Sequence, residues 1–119
     1  MPSSHSDRAR RALFDIRENI VLAATFLGTA TVADLMEDRR TFYAVTRCLE
    51  IISEAARRVG PELRRRHPDL PWRAIMGLGN VYRHGYDNVD EIQVWRTVRQ
   101  SLPALAGVVD IEIGDDGTR

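Results

Sequence analysis

Lysine is absent from this chain of 119 residues, and all seventeen basic positions are arginine. Every fixed positive charge is therefore a planar fork that can grip phosphate or carboxylate through two parallel hydrogen bonds. Arginine stands even at positions that read as plain surface, the pattern a GC-rich coding sequence leaves, so the bias alone assigns no function. Cysteine is almost missing as well: Cys48 stands alone, which excludes an internal disulfide. Three widely separated histidines beside that one thiol give no zinc spacing, so neither a metal nor a cofactor is expected. No apolar run approaches the roughly 18 residues that span a bilayer. The polar, basic stretch from Met1 to Arg11 does not resemble a signal peptide. A cytoplasmic protein with no membrane partner is the expectation.

What is present is the composition of one soluble domain, 44% hydrophobic and 29% charged, with seventeen acidic residues balancing the seventeen arginines. The balance is uneven along the chain. Residues 1–86 carry fourteen arginines against ten acids, and residues 87–119 carry three against seven. The densest positive stretch is Arg57, Arg58, Arg64, Arg65 and Arg66, which reads either as a surface that steers polyanions or as a solvated face balanced by Glu54 and Glu62.

Apolar residues recur at helical spacing through most of the sequence. Leu13, Ile16, Ile20, Ala24 and Leu27 predict an amphipathic helix from Asp7, closed by Gly28. A turn of helix follows over Val32 to Met36. A second long helix starts near Asp38 or Thr41, with Phe42, Val45, Cys48, Leu49, Ile52, Ala55 and Ala56 on one face, and Gly60-Pro61 stops it. Pro61 opens a short helix through Arg66, and the segment from Trp72 is expected to stay helical to about His84. Asp90 with Gln93 resembles a capping box, and Val89 with Val94 a hydrophobic staple. The last helix therefore starts at Asp90, carries Ile92, Trp95, Val98, Leu102 and Leu105, and is kinked by Pro103. No stretch alternates like a strand. The expected fold is all-α, an up-and-down bundle of four to five helices in a single domain over residues 1–113, with residues 114–119 as a disordered tail.

The segment from Trp72 to Trp95, WRAIMGLGNVYRHGYDNVDEIQVW, departs from an ordinary core helix. Gly77 and Gly79 would each cost a helix about 1 kcal/mol relative to alanine, so close packing or clearance for a large group is expected there. At about 100° per residue, Asn80 and His84 share one α-helical face and Gly79 and Arg83 the adjacent one. The Arg83 guanidinium would then lean back over Gly79. Tyr86, just past Gly85, could offer its hydroxyl to the same cleft. Imidazole moves protons near neutrality, and guanidinium stabilises a phosphate as it gains charge. Together they suit phosphodiester cleavage by the substrate's own 2′-hydroxyl, although each residue alone has a plain structural reading: His84 at a helix C-terminus, Arg83 in solvent, Tyr86 as a packed ring.

The chain resembles the HepT-like toxins of the HEPN superfamily, small all-helical ribonucleases encoded beside a minimal nucleotidyltransferase antitoxin. The likeness runs from the opening helix through RCLEIISEAARRVGPELRRRHPDLPWRAIMGLGN to RHGYDNVDEIQVW and the closing SLPAL. The family signature is Arg, Asn, three residues, His, any residue, Tyr. Here it falls on Asn80, His84 and Tyr86, and Glu54 matches the acidic residue of the family's long helix. The signature arginine is replaced by Gly79. Arg83 is taken to supply the missing guanidinium, with Arg73 a weaker substitute. The resemblance implies a homodimer with a composite cleft that cuts single-stranded RNA without a metal, leaving a 2′,3′-cyclic phosphate and a 5′-hydroxyl. It also implies inhibition by AMP transfer to Tyr86, whose bulky anionic adduct would fill the cleft and repel phosphate.

Two other readings use the same residues. A catalytically silent dimer, acting as an interaction module for the nucleotidyltransferase, needs only the fold and Tyr86, and Gly79 would explain the silence. A helix-turn-helix DNA binder is poorly served by a recognition helix at Trp72 to Val81 with one charge and two glycines. Trp72 and Trp95 read as core anchors rather than base-stacking platforms, and Cys48 as inert packing. His5 and His67 have no partner that the sequence identifies.

Overall fold

Ser6 opens α1 (Asp7–Leu27) by accepting the Ala9 N–H at 3.0 Å, and Gly28, at φ 57, closes it. The computed structural model describes residues 5–83 and 89–115, with the backbone alone at 81–83, 89 and 115. α1 buries Leu13, Ile16 and Leu27, as the spacing predicts, with Ile20 half-buried, but Ala23 rather than the exposed Ala24 lies in the core stripe. Asn19 also lies in that stripe. Its side-chain amide donates to the Asp15 carbonyl one turn back at 2.9 Å, which satisfies a polar group inside an apolar face.

The expected turn of helix is α2 (Val32–Glu37), which starts at a full capping box. The Thr31 hydroxyl accepts the Asp34 N–H, and the Asp34 carboxylate accepts the Thr31 N–H. α3 (Arg39–Arg58) begins one residue after Asp38, which accepts from both the N–H and the hydroxyl of Thr41. Those two bonds hold the Asp38 carboxyl below the usual aspartate range. Val45, Cys48, Leu49, Ile52, Ala55 and Ala56 are all buried, with Phe42 packed at the edge, and α3 lies against α1 along the main core contact. Burial pushes the Cys48 thiol up, in keeping with inert packing.

Gly60 (φ 92) turns the chain into α4 (Pro61–Arg66), and α5 (Trp72–Met76) follows. α6 (Val89–Arg96) starts one residue before the expected cap, so Asp90 is a buried first-turn residue rather than the N-cap. The Val89 side chain lies outside the described residues. A π-helical turn over Thr97–Ser101 joins α6 to α7 (Leu102–Asp115). It ends two residues before Pro103, whose ring would clash with the carbonyl of Arg99 in a regular α-turn. The wider turn, with the Leu102 N–H reaching back to the Thr97 carbonyl, takes up the strain expected of a kink. α7 runs through Gly114 to Asp115, two residues into the expected tail, and residues 116–119 lie outside the described ones.

The described residues contain no strand, and the all-α bundle is the architecture expected. Both tryptophans anchor it: the indole N–H of Trp72 donates to the His67 carbonyl and that of Trp95 to the Ala30 carbonyl, each at 2.9 Å.

Candidate active site

One helix from Trp72 to His84 is not what forms. α5 ends at Met76, Gly77 caps it, and a 3₁₀ segment occupies Leu78–Arg83. The break has a specific cause. In a continuous α-helix the Met76 carbonyl would accept the Asn80 N–H. Instead it accepts the Ser53 hydroxyl at 2.5 Å and the Arg57 guanidinium at 2.8 Å, both from α3. The Asn80 N–H turns to the Gly77 carbonyl at 3.0 Å, an i to i+3 bond. Two glycines make the α-helix weak enough here for two side chains to take its acceptor.

This junction presses the backbone of Gly79 onto α3. A methyl built at Gly79 would stand 3.5 Å from the Glu50 Cα and 3.6 Å from the Ser53 side chain, which is ordinary contact. The packing is close but does not demand glycine. The 3₁₀ register also corrects the expected geometry. At three residues per turn, position 83 aligns with Asn80 and stands a third of a turn away from Gly79. The alignment of Gly79 with Arg83 holds only for an α-helix. The side chain of Arg83, and His84 and Tyr86 entirely, lie outside the described residues.

Between α3 and the 3₁₀ segment lies a cleft of about 420 Å³. α3 lines it with Arg47, Glu50, Glu54 and Arg57, and the segment contributes Gly79 and Asn80. Positions 47, 50, 54 and 57 recur every three or four residues, so they form the polar stripe opposite the core face of α3. The cleft therefore unites Asn80 with Glu54, two residues singled out from widely separated parts of the sequence. Arg73 is not among the residues that line it. Arg47 pairs with the half-buried Glu50 at 3.0 Å and Arg57 with the exposed Glu54 at 3.7 Å, both i,i+3 pairs.

Three other arginines of the basic stretch are committed to structure. Arg58 reaches Asp15 of α1 at 3.3 Å, and Arg64 donates to the Ala56 and Arg57 carbonyls that end α3. Arg66 grips Glu112 with Nη2 at 2.7 Å and Nε at 3.2 Å. The Glu112 carboxylate, 2% exposed on α7, is also met by Nε2 of His5 at 3.0 Å and of His67 at 2.5 Å. Burial would raise its pKa, but the hydrogen bonds from Arg66 and His67, with their charge, hold it below the ordinary glutamate value. His5 and His67 thus have a shared structural partner. One signal of it was available in the sequence: Glu112 falls at helical spacing with Leu105 and Val109, where a carboxylate must be buried and paired.

The described residues hold no group of three or more His, Cys, Asp or Glu side chains arranged to bind a metal ion, and no helix among them is long and apolar enough to cross a membrane.

Residues 16–110 match the family described as ribonuclease HepT-like. A Thermococcus cleftensis protein named "Probable ribonuclease HepT" is 36% identical over 107 residues, which is 90% of this chain and 94% of that one. A Methanocaldococcus jannaschii protein whose name marks it as a candidate RNase is 32% identical over 83% of this chain and 91% of its own. A similarly named protein of Caldanaerobacter subterraneus is 33% identical over 60% of this chain and 64% of its own. No solved structure gives a significant match.

Proposed function

Because the chain belongs to the HepT-like ribonuclease family, we propose that it is the toxin of a toxin-antitoxin pair, an endoribonuclease cutting single-stranded RNA in the cytoplasm. The observation that carries this reading is the cleft that joins Asn80 to Glu54 beside the segment leading to His84.

His84 acts as general acid or base. The 2′-hydroxyl gives up its proton and its oxygen attacks the adjacent phosphorus. The bond to the 5′-oxygen breaks, that oxygen takes a proton, and the products are a 2′,3′-cyclic phosphate and a 5′-hydroxyl. No step of that route requires a metal. Arg83, in register with Asn80 along the 3₁₀ segment, stabilises the charge that builds on the phosphoryl oxygens. Asn80 orients the phosphate or the imidazole, and Glu54 supports the basic side of the cleft. Two copies of the chain form the working dimer, each bringing one helix end to a composite cleft. A minimal nucleotidyltransferase antitoxin silences it by transferring AMP from ATP to the Tyr86 hydroxyl, releasing pyrophosphate.

A second reading, a silent dimer that serves only as a module for the nucleotidyltransferase, is favoured by one feature, the glycine at position 79 where the family signature has arginine. Cleavage of a labelled, unstructured RNA in EDTA separates the two. The protein, checked by mass for an adduct on Tyr86, is expected to give cyclic-phosphate ends, and His84→Ala to cut roughly 10²- to 10⁴-fold more slowly. No cleavage by unmodified dimer would establish the silent module.

A further inference from the structure

Gly79 rests on α3 opposite Glu50 and Ser53, about midway between Arg47 and Arg57. Those two arginines are ten residues apart on one helix, hence about 15 Å along its axis. The cleft is thus lined by two guanidinium-bearing side chains, Arg47 from the middle of α3 and Arg57 from its last turn, together with Gly79 and Asn80. Their side chains are 70% and 54% exposed, whereas Arg58 and Arg66 are drawn to Asp15 and Glu112.

What ties Arg47 and Arg57 to the protein is easily exchanged. Each meets an i,i+3 carboxylate, Glu54 being 69% exposed and Glu50 25%, while the arginine itself stays largely in solvent, and pairs of this kind are worth roughly 0–1 kcal/mol. Arg57 also spends one N–H on the Met76 carbonyl, but a guanidinium has further donors for a second acceptor. A phosphodiester offers the planar fork the same two oxygens and full negative charge that a carboxylate does, so it can take the place of a weakly held carboxylate partner.

We propose that Arg47 and Arg57 hold the phosphates on either side of the bond that is cut, so that α3 forms a two-point track for single-stranded RNA. The assignment rests on the RNA-cleaving reading of the same cleft. It places the substrate along α3 and makes these two arginines positioning residues.

The test is binding of a fluorescently labelled, unstructured oligoribonucleotide to the His84→Ala protein, read by anisotropy over a range of salt concentrations. Adding Arg47→Gln or Arg57→Gln is expected to weaken binding about tenfold, the scale of one charge-assisted hydrogen bond. Each should also flatten the slope of log affinity against log salt by about 0.7, the single-strand value for one phosphate contact. Arg65→Gln, on α4 away from the cleft, controls for removal of any surface charge and should leave the slope alone. Ser53→Ala removes the companion donor to the Met76 carbonyl but keeps the charge, so it separates a disturbed junction from a lost phosphate contact. It should also leave the slope unchanged, and circular dichroism checks that every variant is folded.

Slopes of Arg47→Gln and Arg57→Gln equal to that of Arg65→Gln, or no binding before substitution, would overturn the proposal. If the slopes fall as expected while unsubstituted protein cuts no RNA, the nuclease reading fails and the track stands. If the protein cuts RNA and the slopes do not move, the track fails and the nuclease reading stands.

Discussion

Arginine does opposite work in two regions of this molecule. In the Glu112 knot, Arg66 meets a carboxylate sealed from water and joined by two histidines, so its fork is fixed by a buried charge that needs it. Along the cleft, Arg47 and Arg57 keep more than half of their own side chains in solvent and meet i,i+3 carboxylates that are not sealed from water, so their forks stay exchangeable. The same side chain is structural where its partner is desolvated and available where its partner is wet. The burial of the acid, not the density of the base, decides which arginines can meet a polyanion.

The comparison breaks if substitutions in one region change the other region's readout. The largest expected effect is at the cleft: Arg83→Ala should lower cleavage by about 10²- to 10³-fold, the scale of losing one donor to a developing oxyanion. Urea unfolding of the same variant should be unchanged. Gly79→Arg in that background should restore part of the activity, since the site accepts a Cβ at ordinary contact distance. Lack of rescue in folded protein would mean that the 3₁₀ segment aims position 79 away from the substrate.

Next in size is Glu112→Leu, which strips Arg66, His5 and His67 of their shared anion. A loss of about 3–5 kcal/mol in urea unfolding is expected, with RNA cleavage intact under conditions where the variant is folded. The pH dependence sharpens this. Because the folded carboxyl titrates below its unfolded value, its stabilisation is complete above the ordinary glutamate range and disappears as pH falls through the lowered value. Thermal melts of the unsubstituted protein should drop across that acid window, and those of Glu112→Leu should drop less. Smallest of all is Arg58→Gln, which removes a half-exposed pair with Asp15. Its unfolding free energy should change by about 1 kcal/mol or less, and a larger loss would place Arg58 with the knot rather than the surface.

The long helices were legible because their stripes are local: Leu13 to Leu27 and Val45 to Ala56 announce themselves within one window. The broken helix after Met76 was not. Its cause lies 19 and 23 residues upstream, in the Arg57 and Ser53 donors that take its carbonyl. The glycines signalled weakness there without saying what would exploit it. The knot was hidden for the same reason, since His5 and Glu112 stand 107 residues apart. At the site, the family likeness names Asn80 and Glu54, whereas Arg47, a single arginine on a polar face, carries no sequence signal until a second element packs across from it.

Cys48 gives the molecule a clock. It is the chain's one thiol, 3% exposed in the contact between α3 and the core, and it is kept protonated by that burial. A thiol reagent must therefore wait for the helices to part, and every molecule carries one such reporter at one known place. The rate of labelling would count openings of the bundle directly, and a change in that rate on adding RNA would show whether filling the cleft on the far face of α3 holds its core face shut.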